Sequence, residues 1–81
     1  MASTPLLMLD RQPVRELEDE LREIYAKVGK PEAFTEARDK VTDLAEYLVA
    51  RDGIDMDDAL HIAYGRSLAE HREYLAAKGL D

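Results

Sequence analysis

Apolar residues recur along this chain at alternating steps of three and four, in three separate runs. Phe34, Ala37, Val41, Leu44 and Leu48 form the clearest run, preceded by Val14, Leu17, Leu21, Ile24 and Val28 and followed by Leu60, Tyr64, Leu68, His71 and Leu75. That spacing returns a side chain to the same side of an α-helix at every turn, so each run predicts a helix that buries one stripe. The boundaries follow from punctuation. Pro13 and Pro31 suit a first helical position, where the missing N–H has no intrahelical partner to lose, and Gly29, Gly53 and Gly79 suit the left-handed residue that ends a helix. Asp55 stands where a side-chain oxygen caps the third helix, with Asp58 three residues on, and Ile54 and Ala59 are spaced as a hydrophobic staple. The predicted helices therefore run over about 13–28, 31–52 and 56–78. Two short links force them up, down and up, with the second helix as the element that places the others.

The ends of the chain differ in character. Residues 1–12 are expected to hold a flexible start and then an apolar arm, Leu6-Leu7-Met8-Leu9. Four consecutive apolar residues do not all face water cheaply, at roughly 1.5–3 kcal/mol per fully buried large side chain, so the arm is expected to dock on the helices or on a second subunit. Residues 13–81 then make the three-helix domain, with Leu80 placed to contact Leu75 past the final glycine. Ile62 and the alanines at 59, 63, 69 and 76 spread apolar character around the third helix beyond one stripe, which predicts a second contact surface. Leu6, Leu7, Leu9, Ile62 and Ala69 are the expected interface residues, and self-association, as a homodimer, completes the all-α fold.

Composition narrows the partners. The chain has 81 residues, one domain at most, and a domain of this size buries only about 60–65% of the surface it exposes unfolded. With no cysteine, disulfides and thiolate metal sites are excluded, which leaves a partner subunit as the ready source of added stability. A formal charge of −7, from 18 acidic against 11 basic residues, repels phosphate backbones and anionic lipid heads, so neither direct nucleic-acid binding nor membrane association is expected. No apolar run approaches the roughly 20 residues that span a bilayer, and the arm is too short for a signal-peptide core, so the expected location is cytoplasmic.

Most of the polar constellations are ordinary on their spacing. Asp52, Asp55, Asp57 and Asp58 lack the glycine and glutamate that a calcium loop needs in register, and read as caps. His61 and His71, ten apart, lie roughly 80° out of line and do not share a metal. Ser67 and His71 are four apart, within touching range, but no third group orients them as a nucleophile and base. The tyrosines at 25, 47, 64 and 74 read as packing at helix edges. The exception is a pair of acids on each arm of the first hairpin. Glu20 and Glu23 are three apart, as are Glu36 and Asp39, and the two pairs lie almost equally far from the turn at Gly29-Lys30. Carboxylates so placed suit a hard cation such as Mg²⁺.

With Glu20-Leu21-Arg22-Glu23, Glu36-Ala37-Arg38-Asp39 and the link Gly53-Ile54-Asp55-Met56-Asp57-Asp58-Ala59-Leu60, the chain resembles the MazG-like all-α nucleotide pyrophosphohydrolases. The resemblance covers roughly Leu17 to Tyr74 and implies Mg²⁺ held by the four acids and cleavage of a nucleoside triphosphate to monophosphate and pyrophosphate by an activated water. Lys40 after Asp39, Arg66-Ser67 in place of a lysine-asparagine pair, and only the arm in place of an additional leading helix depart from that family's pattern. Asp39 also points nearly opposite the stripe of its helix, so a shared site requires another subunit over that face. The sequence as a whole favours a non-catalytic, homo-oligomeric interaction or regulatory module that presents an acidic face and an apolar seam to a protein partner, with no cofactor; the pyrophosphohydrolase with Mg²⁺ is the alternative.

Overall fold

The computed structural model describes residues 12–79, and these form an all-α, three-helix up-down-up bundle. Helix α1 spans Val14–Lys27, α2 spans Phe34–Asp52 and α3 spans Met56–Lys78, with a 3-10 turn at Pro31–Ala33 leading into α2. Two boundaries differ from the sequence reading for local reasons. Pro13 sits in an extended conformation just outside α1, where its carbonyl accepts from the Glu16 and Leu17 amides. At the other link, Lys30 has no side-chain oxygen to cap a helix, and the chain meets its first turn with tight 3-10 bonds, Ala33 N–H donating to the Lys30 carbonyl at 3.0 Å, before α2 proper begins.

The terminators match their chemistry. Gly29 has φ +80° and makes both bonds of a Schellman motif, its own N–H donating to Ala26 at 3.1 Å and that of Lys30 to Tyr25 at 2.9 Å. Gly53, at φ +70°, ends α2 with a single bond to the Val49 carbonyl. The Asp55 carboxylate then accepts the Asp58 N–H at 3.0 Å and opens α3, while Ala59 is fully buried and Ile54 packs at the core edge. Leu80 lies outside the described residues.

The core is shared unequally. Leu21, Ala45, Ala59 and Ala63 have no exposed surface, and Leu17, Ile24, Phe34, Val41, Leu48, Tyr64, Leu68 and Leu75 close around them. Helix α3 packs along both α1 and α2, whereas α1 meets the other arm of the first hairpin chiefly through the 3-10 turn. The organising element is thus α3, not the second helix. Alanines are the reason: at 45, 59 and 63 they have almost no side chain to hold the α2 and α3 backbones apart. Ala59 and Ala63 consequently belong to the chain's own core and not to an outer contact surface. Leu44 shifts to the edge of the buried stripe, and His71 is only half-buried.

Above Phe34 the surface is tied by charge. The Arg22 guanidinium stacks over the ring at 4.6 Å and Arg38 at 5.8 Å, and Glu18 bridges the two arginines at 3.3 and 3.8 Å, linking α1 to α2. Among the described residues no helix is long and apolar enough to cross a membrane.

Candidate functional site

The four acids on the first hairpin are placed on different surfaces. Glu20 and Glu23 line one shallow groove of about 160 Å³ on the outer side of α1 and α3, with Lys27 and Arg72 beside them. Glu20 is engaged there: its carboxylate accepts from the Arg72 guanidinium and from the Gln12 side-chain amide. Glu36 lines another cleft, between α2 and α3, and Asp39 is exposed. The hairpin does not close α2 onto α1 along its length, and this separates the pairs that the sequence set at matched levels. Among the described residues no three histidine, aspartate or glutamate side chains gather as a metal site.

Of the expected interface residues, Ile62 is 42% exposed and Ala69 is exposed on the same outer side of α3, facing away from the core. Leu6, Leu7 and Leu9 lie outside the described residues. Gln12, expected within the flexible start, is instead held at two points: besides its bond to Glu20, its carbonyl oxygen lies 2.6 Å from Nε2 of His61. The other ring nitrogen of His61 lies 2.7 Å from the Asp57 carbonyl oxygen.

The most developed polar arrangement in the interior of a cleft is one that sequence reasoning missed. Tyr25 on α1 and His71 on α3 meet with ring centroids 5.2 Å apart and edge-on, and the tyrosine hydroxyl lies 2.8 Å from Nε2. The hydrogen-bond directions follow from the other side of the imidazole. Nδ1 faces the Ser67 carbonyl oxygen at 2.6 Å, which only accepts, so Nδ1 carries the proton and Nε2 accepts from the tyrosine. That assignment has a chemical consequence for Ser67. Its hydroxyl lies 3.4 Å from the same Nδ1, a nitrogen already bearing a proton, so His71 in this state does not take the serine proton and the pair is not a nucleophile and base. The Tyr25 hydroxyl is held above its ordinary pKa, first by burial and then by the nearby Glu36 carboxylate, which keeps it a donor.

This contact divides two clefts. One, of about 350 Å³, has Ile24, Val28 and Tyr74 as its apolar wall and Lys30 at its rim. The other, of about 490 Å³, has Val41, Leu44 and Ala63 as its floor, with Glu36, Lys40, Arg66 and Glu70 around it. Tyr25, Glu70 and His71 belong to both. The volumes lie in the range of small-ligand sites, which are typically 300–1,000 Å³. Each helix signals its half of the contact, Tyr25 flanking the first stripe and His71 in the third. Their meeting depends on how α1 lies along α3, which spacing within either helix does not encode.

No protein family, curated protein or solved structure matches this chain.

Proposed function

We propose that the protein is a small, acidic, helical interaction module that works as a homodimer and binds a protein partner without catalysing a reaction. The observation that carries this reading is the outer face of α3. Its inner face is filled by the core, yet Ile62 remains 42% exposed, with Ala69 and Ala76 exposed seven and fourteen residues on, so the three stand in one row along the helix. A row of this kind lets two copies of α3 approach closely, small side chains in the middle and isoleucine at one end. Burying it offsets the limited core of a domain this small. The carboxylates of α1 remain on the outside, where they favour a partner with basic side chains and disfavour nucleic acid.

Light scattering after size exclusion tests the reading. The wild-type chain should run as a dimer, and Ile62→Glu with Ala69→Glu should run as a folded monomer; a wild-type monomer at micromolar concentration refutes it.

The second reading, a Mg²⁺-dependent pyrophosphohydrolase of the MazG-like kind, has in its favour that Glu20 and Glu23 line the same groove. It requires another subunit to bring further carboxylates to them and to displace Arg72. Calorimetric titration with Mg²⁺ or Mn²⁺ decides it: saturable binding abolished by Glu20→Gln supports the enzyme, and no binding removes the metal site.

A further inference from the structure

The contact that holds Gln12 on α3 depends on the charge of one side chain. The His61 ring stands between two backbone carbonyls: Nε2 lies 2.6 Å from the Gln12 oxygen, and Nδ1 lies 2.7 Å from the oxygen of Asp57, one turn back on α3. A carbonyl oxygen only accepts, and a neutral imidazole has a single N–H to give. Both contacts are hydrogen bonds only when both nitrogens carry a proton, which makes the ring an imidazolium cation. His71 provides the contrast. One of its nitrogens meets a carbonyl and the other a hydroxyl that donates, so the neutral ring satisfies both partners.

The charges around His61 favour the cation. On α3 itself the Asp57 carboxylate lies 3.5 Å from Nδ1, and Asp58 stands beside it in the first turn. On α1, which packs along this side of α3, Glu16 and Glu20 precede Glu23 at steps of four and three and so share its side of the helix, where Glu20 and Glu23 line the outer groove. The bases of that groove, Lys27 and Arg72, lie toward the C-terminal ends of α1 and α3, and Arg72 is tied to Glu20. The His61 side chain is 17% exposed, so little water reaches the ring to replace a bond it loses.

We propose that His61 is a proton-operated latch, whose charged ring clasps the Gln12 carbonyl to α3 and whose neutral ring releases it. When one proton leaves, the other stays on Nδ1, because the carbonyl and the carboxylate of Asp57 both lie on that side. A bare Nε2 then faces the Gln12 oxygen, lone pair against lone pair. The closed latch holds one proton more than the open one, so it is favoured on the acid side and opens as pH rises through the range in which histidines discharge, about pH 5–8. The Gln12 side chain keeps its bond to Glu20 in either state, so opening leaves this residue held at one point instead of two. The apolar residues Leu6-Leu7-Met8-Leu9 join the domain through Gln12, and the latch therefore sets how firmly the root of that arm is held. The device does not depend on self-association.

The test is a pH titration of the full chain by NMR, from about pH 5 to about pH 8.5, above the range in which carboxylates titrate. Gln12 precedes Pro13, so carbon-detected spectra read its carbonyl through the correlation with the proline nitrogen, with no amide proton to exchange. The Gln12 carbonyl shift should move in one step together with the His61 ring signals, and the ring nitrogen shifts at the acid end should report a proton on both Nδ1 and Nε2. In His61→Gln, with its helical content checked by circular dichroism, the step at Gln12 should vanish. A Gln12 carbonyl shift that stays constant in the wild-type chain, a step that persists in His61→Gln, or a ring with a single proton at the acid end would overturn the latch.

Discussion

Gly65 occupies the middle of α3, on the same outer face as Ile62 and Ala69. A β-carbon added there meets nothing within 4 Å, and the backbone is helical, so the chain's own fold gives no reason for a glycine. Glycine in a helix interior costs about 0.8–1 kcal/mol relative to alanine, because the unfolded chain loses more freedom. Gly65→Ala should therefore stabilise the isolated subunit by about 0.5–1 kcal/mol. In a domain of this size that raises the thermal midpoint by roughly 2–8 °C, using about 4–8 °C per kcal/mol. If the row on α3 is where two copies meet, the added methyl lies in the closest part of the contact, and the same substitution weakens the dimer. The assay is urea unfolding by circular dichroism, carried out in the Ile62→Glu, Ala69→Glu background, where the subunit should be alone, and in the wild-type background at several protein concentrations. The expected outcome is a higher midpoint in the first and a smaller or reversed gain at high concentration in the second. A lower midpoint for Gly65→Ala in the monomeric background would refute the open helical environment assigned to this residue.

Other expectations follow from packing and titration. Leu21→Ala should cost about 2–5 kcal/mol, since Leu21 is fully buried, and Leu44→Ala clearly less, since Leu44 lines a cleft; equal denaturant midpoints for the two variants would contradict the assigned core. Gly53→Ala should cost about 1 kcal/mol or somewhat more, because φ +70° strains any residue with a β-carbon, and an unchanged midpoint would remove that terminator from the account. Tyr25 and Tyr64 are both held protonated above the ordinary tyrosine pKa, chiefly by burial. A raised folded pKa means that the unfolded chain loses its proton first, so their contribution is complete below about pH 10 and is lost as pH rises through the folded values. Stability should accordingly fall on the alkaline side, less steeply in Tyr64→Phe, and an identical alkaline slope in that variant would show that its burial is misjudged.

The three helices and the glycines that end them were readable from the chain because large apolar residues and glycines act locally, whereas the starts at Pro13 and Pro31 were each placed too early. Gly29, Gly53 and Gly79 all adopt positive φ, and Asp55 caps α3, as their positions imply. The centre of the core was less readable, since periodicity weighs leucine above alanine. The run at 37, 41, 45 and 48 has the same three-four spacing as the one through Leu44, and it is Ala45 that is fully buried, because the closest approach of two helices selects the smallest side chain. For the candidate sites, spacing showed which residues share a helix face but not which faces meet. It set the four hairpin acids at matched levels, and the lean of α1 toward α3 parts them. It gave no sign of the Tyr25–His71 bond, which requires the relative placement of two helices.

The most direct test of the central claim is the mass of the protein in solution. Light scattering on the wild-type chain should give twice the 9.2 kDa of one subunit, and Ile62→Glu with Ala69→Glu should give a single subunit with its helical signal intact. A wild-type mass of one subunit, or a dimer untouched by both substitutions, would contradict the account of α3 as the seam between two copies.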